Sequence, residues 1–135
     1  MNIAIVGATG NVGRKILEVL EKKELSIDNL YLLASSRSAG SKINFLGNEY
    51  EVLNLETFDF SKAKITFFAA GGKISEKFAE KAAEHSLVID NSSFYRMDPD
   101  VPLIVPQVNS DHLNNIKKNI IANPNCSTAR LNDLN

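Results

Sequence analysis

A single cysteine in 135 residues rules out an internal disulfide and fits a reducing, cytoplasmic setting. Only two histidines accompany it, His85 and His112, and they stand far apart. That leaves no metal-ligand spacing, so no metal is expected. Neither sign of charge is in excess: the formal net charge of -1 gives no electrostatic footprint for nucleic acid or an anionic membrane. Long apolar runs are missing too, the longest being strand-length, far short of the roughly 20 residues a membrane helix needs. The opening MNIAIVGATG has neither a basic n-region nor a cleavage site, so it reads as the start of a fold, not as a signal peptide. Repeats and low-complexity tracts are absent. What is present is an ordinary globular composition, 44% hydrophobic and 23% charged, in a length that suits one domain.

Strand and helix patterns alternate from the first residue. Residues 1–6 form a short continuous apolar run, expected as a buried parallel strand. Residues 11–23 come next, with Val12, Ile16, Leu17, Val19 and Leu20 at helical spacing. A second strand is expected over 30–34, then a polar loop over 35–42, then a hairpin over 43–55 turning at Gly47-Asn48. Residues 65–70 read as a strand ended by Gly71-Gly72, 74–85 as a helix, and 87–89 as a strand running into the polar turn DNSSFYR. Further strands are expected at 103–105 and 120–122, with a short helix at 110–118. This alternation predicts an α/β fold, a Rossmann-like doubly wound, mostly parallel sheet.

Between the first strand and the first helix lies GATGNVG, with spacing Gly7-x-x-Gly10-x-x-Gly13. In such a motif Gly7 permits the tight turn out of the strand, Gly10 lets the backbone approach a pyrophosphate, and Gly13 lets the helix pack close to the sheet. The amides at the helix start then face the phosphates. A glycine turn that merely starts a helix is the blander reading, but a strand before it and a helix after it favour a dinucleotide site. The second strand ends ASSRS, without the acid that would accept from a ribose 2′-hydroxyl. Ser35, Arg37 and Ser38 instead offer donors to a 2′-phosphate, which points to NADP. In AAGGK two readings stay open: Gly71 and Gly72 admit the backbone to the nicotinamide ribose, or they only turn the chain.

Cys126 comes after the apolar run IIA and the stiff step Asn-Pro-Asn. At a helix start a thiolate is stabilised by backbone amides and becomes a nucleophile, whereas most free cysteines are small buried hydrophobes. Four stretches in order (VGATGNVGR, LASSRSAGSK, VIDNSSFYRMDPDVPLIVPQVN and IIANPNCST) resemble the amino-terminal part of bacterial aspartate-semialdehyde dehydrogenase. The resemblance covers residues 1 to about 128, which it marks as the NADP-binding domain. It implies NADPH-dependent reduction of L-aspartyl 4-phosphate to L-aspartate 4-semialdehyde with release of phosphate, through a thioester on Cys126. It further implies that Asn125 holds the substrate and that Arg96 grips the phosphate. Thr9, Gly10, Asn11 and Val12 match the pyrophosphate turn, Ser35, Arg37 and Ser38 the 2′-phosphate pocket, and Asn91 and Ser92 the cofactor crevice.

The family continues for a substrate and dimerisation domain, through which its members form homodimers or dimers of dimers. Residues 129–135, ARLNDLN, do not resemble that continuation, and the domain is not in this sequence. His85 and His112 do not match the family's acid/base position. The expectation is a chain that binds NADP but turns over negligibly. The alternatives are a non-catalytic nucleotide-binding fragment, half of a split enzyme, an inert remnant with exposed core, or N-acetylglutamyl-phosphate reductase; SSRSAG and DNSSFYR argue against the last.

Overall fold

The computed structural model describes residues 1–23, 25–101 and 118–123. Its elements are β1 (Asn2–Val6), α1 (Asn11–Lys22), β2 (Asn29–Ala34), β3 (Lys42–Phe45), β4 (Asn48–Asn54), β5 (Ile65–Phe68), α2 (Gly72–Ala83), β6 (Leu87–Asp90) and β7 (Ile120–Ala122). Two short 3-10 turns, Leu55–Thr57 and Phe60–Lys62, join β4 to β5. The polar spacing there carried no sign of them. Each is closed by an Asx contact, Asn54 accepting from the Glu56 amide and Asp59 from the Ser61 amide. The strand expected at 103–105 and most of the helix expected at 110–118 lie outside the described residues.

The strands form one sheet in the order β3-β4-β2-β1-β5-β6-β7, parallel except for the antiparallel edge pair β3–β4. This is the doubly wound class that the alternation predicts. The chain moves one way from β1 to β2 and the other way from β5 to β6, so right-handed crossovers put α1 and α2 on opposite faces. The burial pattern reflects this. In β1, Ile3 and Ile5 pack with Leu17 and Leu20 of α1, while Ala4 and Val6 pack with Phe78, Ala79 and Ala82 of α2. Because both faces are covered, the central strands read as unbroken apolar runs instead of alternating ones.

Helix α1 buries a narrower stripe than its valines suggest. Gly13, Leu17 and Leu20 face the sheet, whereas Val12 and Val19 are 40% and 43% exposed. Helix α2 begins at Gly72, two residues earlier than expected, because Gly71 adopts φ +92° and turns the chain directly into it. No helix among the described residues is long and apolar enough to cross a membrane.

The β3–β4 hairpin turns at Leu46-Gly47, one residue before the expected Gly47-Asn48, with φ of +50° and +80°. Two positive φ values in a two-residue loop match the right-handed twist of the strands, but they suit Asn-Gly and not Leu-Gly. Leu46 is 60% exposed and has little packing to lose. Leu46→Asn is therefore expected to raise unfolding stability by about 1 kcal/mol, read from the urea midpoint at constant m.

Candidate dinucleotide site

The connection from β4 to β5 passes from one side of β1 to the other. Strand order therefore reverses at β1, and the crevice beyond its carboxyl end is where an open α/β sheet receives a ligand. Gly7 leaves β1 with φ +87°, and its amide donates to Leu33 O at 2.8 Å, which pins the turn to the end of β2. A Cβ at Gly7 would lie 2.8 Å from the Ala69 carbonyl. At Gly13 it would lie 2.2 Å from Gly7 O. Packing within the chain thus accounts for both glycines.

Gly10 is different. Its backbone is extended, φ -83° and ψ 174°, and the nearest atom to a built Cβ is Gly7 O at 3.6 Å, an ordinary contact. The chain itself has room for a side chain there, and Gly10 lines the crevice. Gly10 is also the N-cap of α1, and no side chain caps that helix. Its first amides and the positive end of its dipole are thus offered outward, as an anion site requires. A cradle that a Cβ would fill, at an uncapped helix start, fits the pyrophosphate of a dinucleotide.

The crevice, about 390 Å³, is lined by Gly7, Thr9 and Gly10 on one side, by Ala34, Ser35 and Ser38 on a second, and by Leu55, Ala69, Ala70 and Ile74 on the rest. Ser35 and Ser38 come together because the Ser38 amide donates to Ser35 O at 3.0 Å, folding the loop back. Arg37 is exposed between them. Asn11 and Val12 sit exposed in the first turn of α1 and do not line the crevice. Gly71 meets nothing within 4 Å of a built Cβ; its positive φ alone demands glycine.

Beyond β6 the turn DNSSFYR is held from inside. Asp90, fully buried, accepts from Ser75 Oγ of α2 at 2.7 Å, from the Ser92 amide at 3.0 Å and from Ser92 Oγ at 2.9 Å. Ser92, expected beside the crevice, is thereby engaged inward. Asp90 and Ser75 went unnoticed in the sequence, although an acid closing an apolar strand must find buried donors. Tyr95 packs in the same place. Burial pushes its phenol up to about 12, with Glu80 and Asp90 adding to the effect.

Arg96 presents a buried Nε with no hydrogen-bond partner among the described residues. Asp98, one of the acids it could have paired with, instead binds Lys118 at 2.9 Å. That hydrogen bond holds the Asp98 carboxyl below the usual range. Asn91 lies at the end of β6, its amide bridging to Phe68 and Asn123. His85 is exposed at the opposite end of the sheet, beside Asn2 and Lys64. Cys126, Asn125 and His112 lie outside the described residues.

A doubly wound sheet with a glycine turn and an uncapped helix at its switch point defines a nucleotide-binding domain. Known proteins narrow the class. The family described as "Semialdehyde dehydrogenase, NAD binding domain" matches residues 2–116, and the chain belongs to it. Aspartate-semialdehyde dehydrogenase of Shewanella sp. (strain DB6705) is 48% identical over 132 residues, covering 96% of this chain and 39% of the relative. A crystal structure of aspartate semialdehyde dehydrogenase II from Vibrio cholerae, complexed with ASA, superposes with a TM-score of 0.92 at 50% identity. It covers 96% of this chain and 43% of its own. A Candida albicans aspartate semialdehyde dehydrogenase with NADP superposes at 0.75 with 30% identity, over 96% of this chain and 44% of that one. The chain therefore spans about two fifths of the length of these relatives.

Proposed function

We propose that this chain provides the NADP-binding, nucleophile-bearing part of an aspartate-semialdehyde dehydrogenase, which reduces L-aspartyl 4-phosphate to L-aspartate 4-semialdehyde. The observation that carries the reading is Gly10, a glycine that the chain's own packing does not require, at an uncapped helix start in the switch-point crevice. Bound NADPH would supply the hydride. The α1 amides and the Gly7–Gly10 turn would hold its pyrophosphate, and Ser35, Ser38 and Arg37 its 2′-phosphate. Cys126 Sγ would attack the acyl phosphate carbonyl and expel phosphate, leaving a thioester on the sulfur. Arg96 would grip the phosphate, and Asn125 would hold the acyl group beside the thiol.

The preference for NADP is supported by the absence of an acid at the end of β2 and by the Ser35–Ser38 fold-back on the crevice wall. Calorimetric titration is expected to show NADPH binding at least about tenfold more tightly than NADH, and Arg37→Ala to remove most of that difference. Equal affinity for the two would overturn the NADP assignment. No saturable binding of either would overturn the site.

A further inference from the structure

We propose that Asp90 is a positioning residue for the dinucleotide crevice, acting through Ser75 to set where Ile74 stands in the crevice wall. The inference rests on the crevice holding a dinucleotide, and it assigns a role to a buried acid that the proposed reaction does not use. Ile74 is half-buried: it packs against the core on the α2 side of the sheet and also lines the crevice. Its place therefore follows the first turn of α2. The link entering that turn gives it little hold. Gly71 has φ +92°, a Cβ built there meets nothing within 4 Å, and no side chain caps the helix.

The hold comes from β6. Ser75, the residue after Ile74, is fully buried, and its Oγ donates to Asp90 Oδ1 at 2.7 Å. Its amide donates to Gly71 O at 3.2 Å, so what fixes Ser75 fixes the whole turn. Asp90 itself is set between two strands, opposite Phe68 of β5 and Ala122 of β7. Its carboxylate is also oriented, because the Ser92 amide donates to Oδ1 at 3.0 Å and Ser92 Oγ to Oδ2 at 2.9 Å. Ser92 Oγ in turn accepts from the Phe94 amide at 3.2 Å, and Phe94 Cβ lies 3.9 Å from a Cβ built at Gly72, the first residue of α2. The start of α2 is thus held by a strand-borne carboxylate and by the turn which that carboxylate shapes. The geometry needs the acceptor and not the charge. An asparagine would keep Oδ1 facing Ser75 and the Ser92 amide, and its Nδ2 would donate to Ser92 Oγ.

Calorimetric titration with NADPH reads the wall, and urea denaturation of the same preparations reads stability. Ser75→Ala and Ile74→Ala are each expected to weaken NADPH binding about fivefold. The double variant should bind no more weakly than the weaker single one, because the hydroxyl acts through a side chain that is then gone. Asp90→Asn, which keeps the acceptor, should bind within about twofold of the parent. Additive losses, or an Asp90→Asn loss as large as that of Ser75→Ala, would overturn the proposal. So would a Ser75→Ala variant with the parent's affinity and only a lower urea midpoint, which is what a merely structural staple gives. Should Ser75→Ala lose its fold by circular dichroism, Ser75→Cys carries the test, since it keeps the shape and offers only a weak donor. A loss of about twofold is expected there, and an unchanged affinity would be decisive against the role. A parent that binds no NADPH would overturn the crevice reading and this inference together, whereas a parent that binds, with variants that bind equally well, would overturn the inference alone.

Discussion

Gly10→Ser is expected to leave the unfolding midpoint where it is, or slightly raise it, while weakening NADPH binding at least tenfold, about 1.4 kcal/mol. Both halves come from one geometry. The backbone at Gly10 is extended, so a side chain brings no strain, and the built Cβ has only an ordinary contact with Gly7 O at 3.6 Å. Serine is moreover a preferred N-cap, able to accept from a first-turn amide of α1. Gly10 lines the crevice, so the new atoms would intrude on the space proposed for a pyrophosphate, and the hydroxyl would compete for the same amides. Calorimetry of binding and urea denaturation on one preparation would read the two effects separately. A drop in stability with binding unchanged would show that the space serves the chain and not a ligand.

Gly13→Ala should do the reverse and destabilise by about 3 kcal/mol or more, at the upper end of what overpacking costs. The added carbon would fall 2.2 Å from Gly7 O, 2.8 Å from the Ala8 Cα and 2.9 Å from the Gly7 carbonyl carbon. All three are main-chain atoms in the turn that leaves β1, so no side chain can swing aside. Either α1 lifts off the sheet or the turn opens, and the Leu17 and Leu20 contacts loosen in both cases. The urea midpoint would show this directly. A loss below about 1 kcal/mol would mean that the helix start is far more compliant than its packing indicates.

Much of the sheet and the glycine turn was legible because each leaves a local mark. Unbroken apolar runs at 1–6 and 65–70 announce strands covered on both faces, and glycines between strand and helix announce a close approach. The errors fall where the deciding contact is distant in sequence. Whether Val12 or Gly13 faces inward depends on where the turn leaving β1 sits, not on helical period. The role of Asp90 depends on Ser75, a residue of another element, and the Asn123–Asn91 bond likewise joins residues far apart in the chain. The hairpin was displaced by one residue because leucine gives no signal for a positive φ. For Arg96 the sequence could show only that acids stood nearby; that Asp98 is taken by Lys118 and that Nε has no partner among the described residues are facts of folded geometry.

The antiparallel β3–β4 edge and the parallel centre have different histories during folding. The hairpin joins neighbours in the chain and can close within microseconds, with no help from the rest. The crevice floor cannot, because Ile3 lies opposite both Leu30 and Ile65, and nothing local brings those three segments together. Their pairing bears the entropy of closing long loops before any contact repays it. A nascent or partly refolded chain would thus show hairpin signals well before it could hold a nucleotide, making nucleotide retention a late marker of complete assembly.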